Sequence, residues 1–364
     1  MRARSACAAC FVATFFLAPA TSAFDTLPLK TDVPLQSIAT DLEQYIPAQM
    51  KAADVPGLSI AIVRNGELVW AKGFGTRDGS DPVAADTVFE PASIGKPISA
   101  YAALQLRDRG LLQLDKPLSS YLKEQYLPES PYRDEITMRH ALSHTTGLAN
   151  NPFMWTISGI HFKPGSRFSY SGVGFGYLQV VIEQVTGKPF SPMMHDEVFH
   201  PLAMESSSYE RSPALDSRTA TPYYDPFGVE IPQPDWGAYG SPRASNLIRS
   251  TAPDVAGFMC ELMNPKHISE ATIREMMTEQ VSVGEGLSWG LGIGLQRSSA
   301  GDAFWQWGDN PGFKSLMVGY RDQKIGVVVM TRGSGGYEIL GKIAQRTIGG
   351  SDGPYWQAVK MIGF

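Results

Sequence analysis

Phe89-Glu90-Pro91-Ala92-Ser93-Ile94-Gly95-Lys96 sets a serine and a lysine three residues apart, just before an apolar, helix-forming run from Ile98 to Leu106. Positions i and i+3 share one face of a helix, so Ser93 and Lys96 sit one turn apart with their side chains together. Pro97 is tolerated only in a first turn, which makes the helix begin close to Ser93. The hydroxyl then lies at the positive end of the helix, where backbone N–H groups are unpaired. A serine hydroxyl is a weak nucleophile until a base takes its proton, and a desolvated lysine with a lowered pKa can be that base. The spacing alone is not specific, since Ser120 and Lys123 repeat it in the same chain. Their surroundings differ. Lys123 runs into Glu124 and Gln125, a solvated turn, whereas Lys96 is enclosed by Ile94, Pro97, Ile98, Ala100 and Tyr101. The plain alternative makes Ser93 a helix cap and Lys96 a surface lysine.

On the N-terminal side of this stretch, Gln36 to Ala53 has helical periodicity with a kink or break expected at Pro47. Leu58 to Val63 and Leu68 to Gly73 read as two strands joined by the turn Asn65-Gly66. On the other side come helices over Ile98–Arg109, Met138–Ser143, Gly176–Val185, Asp254–Met263 and Ser269–Glu279. Residues 211–245, rich in Pro, Tyr and Ser, read as a long surface excursion. Gly290–Gln296, Phe304–Trp307, Ser315–Tyr320 and Ile325–Met330 are short apolar strands, and Tyr337–Thr347 is a final helix. Strands at both ends and helices between them predict an α+β fold. One antiparallel sheet is built from N- and C-terminal strands and flanked by helices, with a mostly helical middle lobe. This domain spans 36–350, after a linker over 24–35 and before a C-terminal tail over 351–364.

With 364 residues, 43% of them hydrophobic, the chain can bury a large core. Residues 1–23 carry the marks of a secretory signal: Arg2 and Arg4, an apolar middle from Ala6 to Leu17, and small residues up to Ala23. Cleavage there predicts a periplasmic or secreted protein beginning at Phe24. It removes Cys7 and Cys10 and leaves Cys260 alone, so no internal disulfide can form. It also takes the formal charge from -5 to -7 by removing Arg2 and Arg4. With no basic cluster and no apolar run long enough for a membrane span, nucleic acid and stable membrane insertion are not expected as partners.

Other constellations are weaker one by one. Phe168-Ser169-Tyr170-Ser171-Gly172 precedes a helix, where a tyrosine can serve a proton relay or simply be a buried tyrosine. In Gln306-Trp307-Gly308-Asp309-Asn310-Pro311-Gly312, alternation puts Gln306 and Gly308 on one face of a strand and Trp305 and Trp307 on the other. A glycine facing a cleft lets a substrate lie against the strand, although Asn-Pro-Gly also reads as a simple hairpin turn. His140 and His144 have zinc-site spacing, but Ala141 replaces the glutamate and no third ligand is apparent, so no metal is expected. Gly172-x-Gly174-x-Gly176 does not follow a strand, which argues against a dinucleotide loop.

Taken in order, Phe89-x-x-x-Ser93-x-x-Lys96, His140-x-x-Ser143-His144-Thr145-x-Gly147-Leu148, Pro164-Gly165-x-x-Phe168-x-Tyr170-Ser171 and a late strand ending in Gly308 resemble the serine β-lactamase and penicillin-binding-protein superfamily. The resemblance covers residues 36–347 and points to the class C β-lactamase-like branch, with its esterases and D-peptidases. It implies a β-lactamase/transpeptidase-like fold, no cofactor, and an acyl-enzyme on Ser93 with Lys96 and Tyr170 moving protons. It implies an oxyanion hole from the backbone N–H groups of Ser93 and Asp309. Two positions depart from the pattern. Gly172 stands where an Asn is frequent, and Gln306 where Lys or His is usual, so a substrate carboxylate is held less strongly. Arg332 is a candidate for the missing cation. The expectation is an exported serine hydrolase acting on small-molecule or peptide esters or amides, neutral ones above all. The competing reading is a non-catalytic binder of cell-wall peptides.

Overall fold

The computed structural model describes residues 26–150, 159–224, 229–230, 244–284 and 286–351. The expected signal segment 1–23, much of the 211–245 excursion and the tail beyond Ser351 lie outside the described residues.

One eight-stranded antiparallel sheet carries the molecule. Its strands are β2 (Gly57–Arg64), β3 (Glu67–Gly75), β6 (Val281–Gly284), β7 (Leu287–Trp289), β8 (Gly294–Ser298), β9 (Gly301–Asn310), β10 (Phe313–Tyr320) and β11 (Ile325–Arg332), in the order β3-β2-β11-β10-β9-β8-β7-β6. Pairing of β2 with β11 joins the N-terminal hairpin to the C-terminal strands. Two short ladders lie outside it: β1 (Thr26–Leu27) with β12 (Gly350–Ser351), and β4 (Tyr223–Tyr224) with β5 (Val229–Glu230). Asn65 and Gly66 both adopt positive φ in the β2–β3 turn, the twist that a two-residue hairpin needs.

Both faces of β2 are buried, which is why Leu58 to Val63 is apolar, Ser59 apart, and does not alternate. Leu58, Ile60 and Ile62 pack with α1 (Leu35–Ala52) and the C-terminal helix Leu340–Ile348 on one face. Ala61 and Val63 face the other core, with Phe258 and Met259 of the helix Ala252–Met263. The helix α1 runs through Pro47 without ending there. The strand expected at Gly290–Gln296 begins only at Gly294, because Gly292 turns at φ +87° to rest against Ala100, where a Cβ would come within 2.2 Å of that methyl. The strands β6 and β7, four and three residues long, have no counterpart in the sequence reading.

The middle lobe shares its core with the second face of the sheet. The helix α2 (Gly95–Asp108) lies between them and is buried on nearly all sides from Gly95 to Leu104. Beside it stand α3 (Met138–Leu142) and α4 (Gly172–Thr186), the latter capped by the Ser171 side chain accepting from Gly174 N–H. The described architecture is thus the expected mixture of helices and one antiparallel sheet drawn from both ends of the chain.

Candidate active site

Ser93 sits in a 3-10 turn, Ala92–Ile94, that feeds directly into α2, with Pro97 in the first helical turn. Ala92 is held in the left-handed region at φ +51°, which costs a residue with a Cβ about 1–2 kcal/mol. The turn is pinned from the sheet side, where Ser315 Oγ donates to the Pro91 carbonyl at 2.8 Å. Gly308 is what allows this approach: a Cβ there would lie 2.0 Å from the Pro91 oxygen and 2.3 Å from Ser315 Oγ. The space beside Gly308 is therefore filled by the nucleophile's own turn. Its glycine is not a floor for substrate, as alternation alone suggested.

Lys96 is only 2% exposed, and its Nζ lies 3.0 Å from Ser93 Oγ and donates to the Ser245 carbonyl at 2.9 Å. Burial pushes its pKa from 10.5 down to about 7. Its ammonium position lies 4.7 Å from the centre of the Tyr170 ring. Tyr170 is buried too, and burial raises its hydroxyl well above 10, countered in part by Ser93 and Gln306. Ser93 alone of this group keeps a partly exposed side chain. The rival pair behaves differently: Ser120 and Lys123 are exposed, and Ser120 Oγ is spent on the Pro117 carbonyl.

Gln306 is fully enclosed. Its Nε2 donates to the Tyr170 hydroxyl at 3.1 Å and to the Trp307 carbonyl at 2.9 Å. It acts on the tyrosine and the strand rather than reaching into an open cleft, because the strand runs close under Tyr170. Arg332 does not supply a cation beside it. Its guanidinium is buried and donates to the carbonyls of Thr221 and Thr76, at the far side of β10 and β11.

Strand pairing determines what β9 offers. β8 leaves it at Gly294–Trp305, so from Gln306 onward only β10 is paired with it among the described strands. The β9–β10 turn is the two-residue Pro311-Gly312, with Gly312 at φ +77°. In such a hairpin Asn310, Gly308 and Gln306 exchange hydrogen bonds with β10. Trp307 and Asp309 then direct their N–H and C=O groups toward the open edge, on which the Ser93 turn packs. The Asp309 carboxylate pairs with Lys314 at 2.8 Å.

Gly172 begins α4, and its N–H is taken by Asn150 Oδ1 at 3.1 Å. A Cβ at residue 172 would fall 2.5 Å from the Asn150 carbonyl. An exposed asparagine from another segment therefore occupies the neighbourhood where the motif lacks one. Among the described residues His140 and His144 belong to no cluster of three metal-ligating side chains. His140 closes the cap of α3 with Thr137. His144 is buried, accepts from Ser171 N–H on Nδ1, and stacks on Tyr170 with ring centres 4.1 Å apart. Burial and the nearby Lys96 hold its pKa well below 6.5, so the ring is neutral. Sequence reasoning missed this support role, together with the Ser245 carbonyl, Asn150, Asn310 and Glu90. Ser245 stands in a stretch without periodicity and bonds through its backbone, which no motif can reveal.

Comparisons with known proteins identify a family and a shared fold. Residues 42–347 match the family described as Beta-lactamase. Esterase EstB of Burkholderia gladioli is 27% identical over 319 residues, covering 70% of this chain and 79% of the esterase. The fold is shared with the D-alanine carboxypeptidase AmpC from Burkholderia cenocepacia, at 19% identity and a TM-score of 0.73, over 86% of this chain and 99% of the other. It is shared also with a D-amino acid amidase from Ochrobactrum anthropi, at 21% identity and a TM-score of 0.71, over 88% and 99%. With the match running from α1 to the last helix, the chain belongs to the Beta-lactamase family.

Proposed function

We propose that this protein is an exported serine hydrolase that cleaves ester or amide bonds through an acyl-enzyme on Ser93. The observation that carries the reading is a buried lysine, its pKa near 7, set 3.0 Å from a serine that stays partly exposed. In the proposed cycle neutral Lys96 takes the Ser93 proton as Oγ attacks the substrate carbonyl carbon. Donation to the Ser245 carbonyl leaves the amine lone pair free for that proton. The N–H groups of Ser93 and Asp309 stabilise the oxyanion. The proton passes to the leaving group as it departs, with the Tyr170 hydroxyl beside Ser93 as the relay, and water then enters on the same base to release the acid. Export rests on the pattern of residues 1–23, and no helix among the described residues is long and apolar enough to cross a membrane.

Neutral substrates suit the site better than those bearing a carboxylate. Gln306 is uncharged and committed to Tyr170, and Arg332 is tied to backbone carbonyls. The named relatives include an esterase, a D-alanine carboxypeptidase and a D-amino acid amidase, which brackets the bond types to assay. Intact-protein mass spectrometry after a neutral fluorophosphonate tests the reading. One adduct, mapped to Ser93 and absent in Ser93→Ala, supports it. No adduct at high reagent concentration favours a non-catalytic binder.

A further inference from the structure

We propose that Asn310 is a positioning residue for this reaction, locking into one register the three segments that carry the nucleophile, its base and an oxyanion donor. The proposal rests on the serine-hydrolase reading above. Asn310 ends β9 and is 4% exposed. Its Nδ2 donates to Glu90 Oε2 at 3.1 Å and to the Asn246 carbonyl at 3.3 Å, while its Oδ1 accepts from Asn246 Nδ2 at 3.4 Å. Glu90 lies three residues before Ser93, on a segment paired with Ser250 through Phe89. Asn246 follows Ser245, the residue whose carbonyl holds Lys96. Asp309, the proposed oxyanion donor, immediately precedes Asn310. One amide therefore ties the serine's approach, the lysine's acceptor and the open edge of β9 together.

Chemistry fixes the orientation of that amide. Glu90 Oε2 accepts a hydrogen bond here, so the nitrogen of Asn310 faces it. Both amide hydrogens and the oxygen are then engaged at once, and an apolar residue of the same size would leave Asn246 and buried Glu90 each short of a donor. Among the described residues other charged groups stand near it, and the pairing of Phe89 with Ser250 sets buried Arg249 across from Glu90. Lys314 donates to the Asn310 carbonyl at 3.2 Å and pairs with Asp309, against which Tyr337 packs. Arg332, on the residue paired with Phe313, is bound to Thr221 and Thr76. Lys96 lies beyond Ser245.

Asn310→Asp, alone and with Glu90→Gln, tests the role in the full chain with a neutral nitrophenyl ester. In the single variant two carboxyls face each other, and they cannot both ionise cheaply. At low pH one keeps a proton and replaces the lost amide donor; as pH rises the proton leaves and the tie breaks. The parent kcat should rise through about pH 7 as Lys96 loses its proton and then level off. Asn310→Asp should lose that plateau, with kcat down on the order of 10²-fold at the alkaline end and KM little changed. Adding Glu90→Gln returns a donor across the pair and should restore the plateau. A plateau retained in Asn310→Asp, or a loss equal at every pH and not relieved by Glu90→Gln, overturns the role. Should Asn310→Asp not fold, Asn310→Thr replaces it: slower fluorophosphonate labelling of Ser93 is expected at a temperature where the variant remains folded, and labelling at the parental rate overturns the proposal. A parent that neither turns over the ester nor labels at Ser93 overturns the hydrolase reading itself. A parent that does both, with variants that keep its profile, overturns only the part assigned to Asn310.

Discussion

Lys96→Met should abolish hydrolysis and, in acid, make the protein more stable. The folded state holds the Lys96 amine at a pKa of about 7 against 10.5 when it is free, and burial is the cause. Between those values the unfolded chain binds the extra proton and the folded chain does not, so parental stability rises with pH across that window. At about 1.4 kcal/mol per pKa unit, the drop corresponds to roughly 5 kcal/mol, a penalty fully present below pH 7 and gone above 10.5. Methionine removes the charge, fills a similar volume, and sets a thioether where Nζ now faces Tyr170 and Phe175 at 4.7 and 5.7 Å from their ring centres. It also leaves the Ser245 carbonyl without its donor, which costs about 1–3 kcal/mol. The balance is a gain of roughly 2–4 kcal/mol at pH 6 that shrinks and reverses as pH approaches 10.5. Urea unfolding of both proteins across this range gives the difference directly, since other titrating groups cancel. A difference that does not vary with pH, or a variant less stable than its parent at pH 6, refutes the reasoning that Lys96 is a desolvated amine.

Four further outcomes are expected. Ser93→Ala should lose ester hydrolysis while Ser120→Ala, in an exposed turn, keeps it; initial rates with Tm as a folding check decide. The kcat/KM of the parent should rise with pH on a limb near 7 as Lys96 becomes neutral, and Lys96→Arg should be inactive across the range because a guanidinium keeps its proton. Gly308→Ala forces a Cβ to 2.0 Å from the Pro91 oxygen, so it should cost about 1–3 kcal/mol in stability and, by shifting Ser93, on the order of 10²-fold in kcat. Gln306→Lys should bring a cation to the Tyr170 hydroxyl and lower its raised pKa, read as an earlier tyrosinate absorbance on alkaline titration; an unmoved titration would show that residue 306 does not act on Tyr170.

The central strands were legible because they are buried on both faces. Long apolar runs such as Leu58–Val63 and Ile325–Met330 leave little choice of element, and Asn65-Gly66 marks its turn by conformation. The strands β6 and β7 were not legible, since segments of four and three residues hold too little pattern to separate from a loop. Within the site, spacing and apolar surroundings made Ser93 and Lys96 candidates, and the ordered set of motifs chose between that and a plain helix cap with a surface lysine. Tyr170 needed the ordered set of motifs, because a tyrosine before a helix says nothing by itself. Arg332 and Gly308 were legible as residues but not as environments. Alternation assigns a face, and only packing shows that one guanidinium is tied to Thr76 and Thr221 and that the other position is filled by Pro91. Ser245 and Asn150 act through a carbonyl and a distant loop, contacts that exist only once the chain is folded.

The union of β2 with β11 has a bearing on when the protein can act at all. Val63 is partnered by Gly326, and Thr26 by Ser351, so β1 and the β11 side of the N-terminal hairpin stay unpaired until almost the whole chain exists. Pairings that distant in sequence form late, after the large entropy of closing the loop has been met. The serine and lysine emerge early, yet the strand that bears Gln306 and Asp309 arrives only near the end. In a nascent chain that ends before Ser245, Lys96 lacks the carbonyl that holds it, and as a solvated lysine it would be protonated at neutral pH. On the proposed mechanism, completing the fold is what arms the serine.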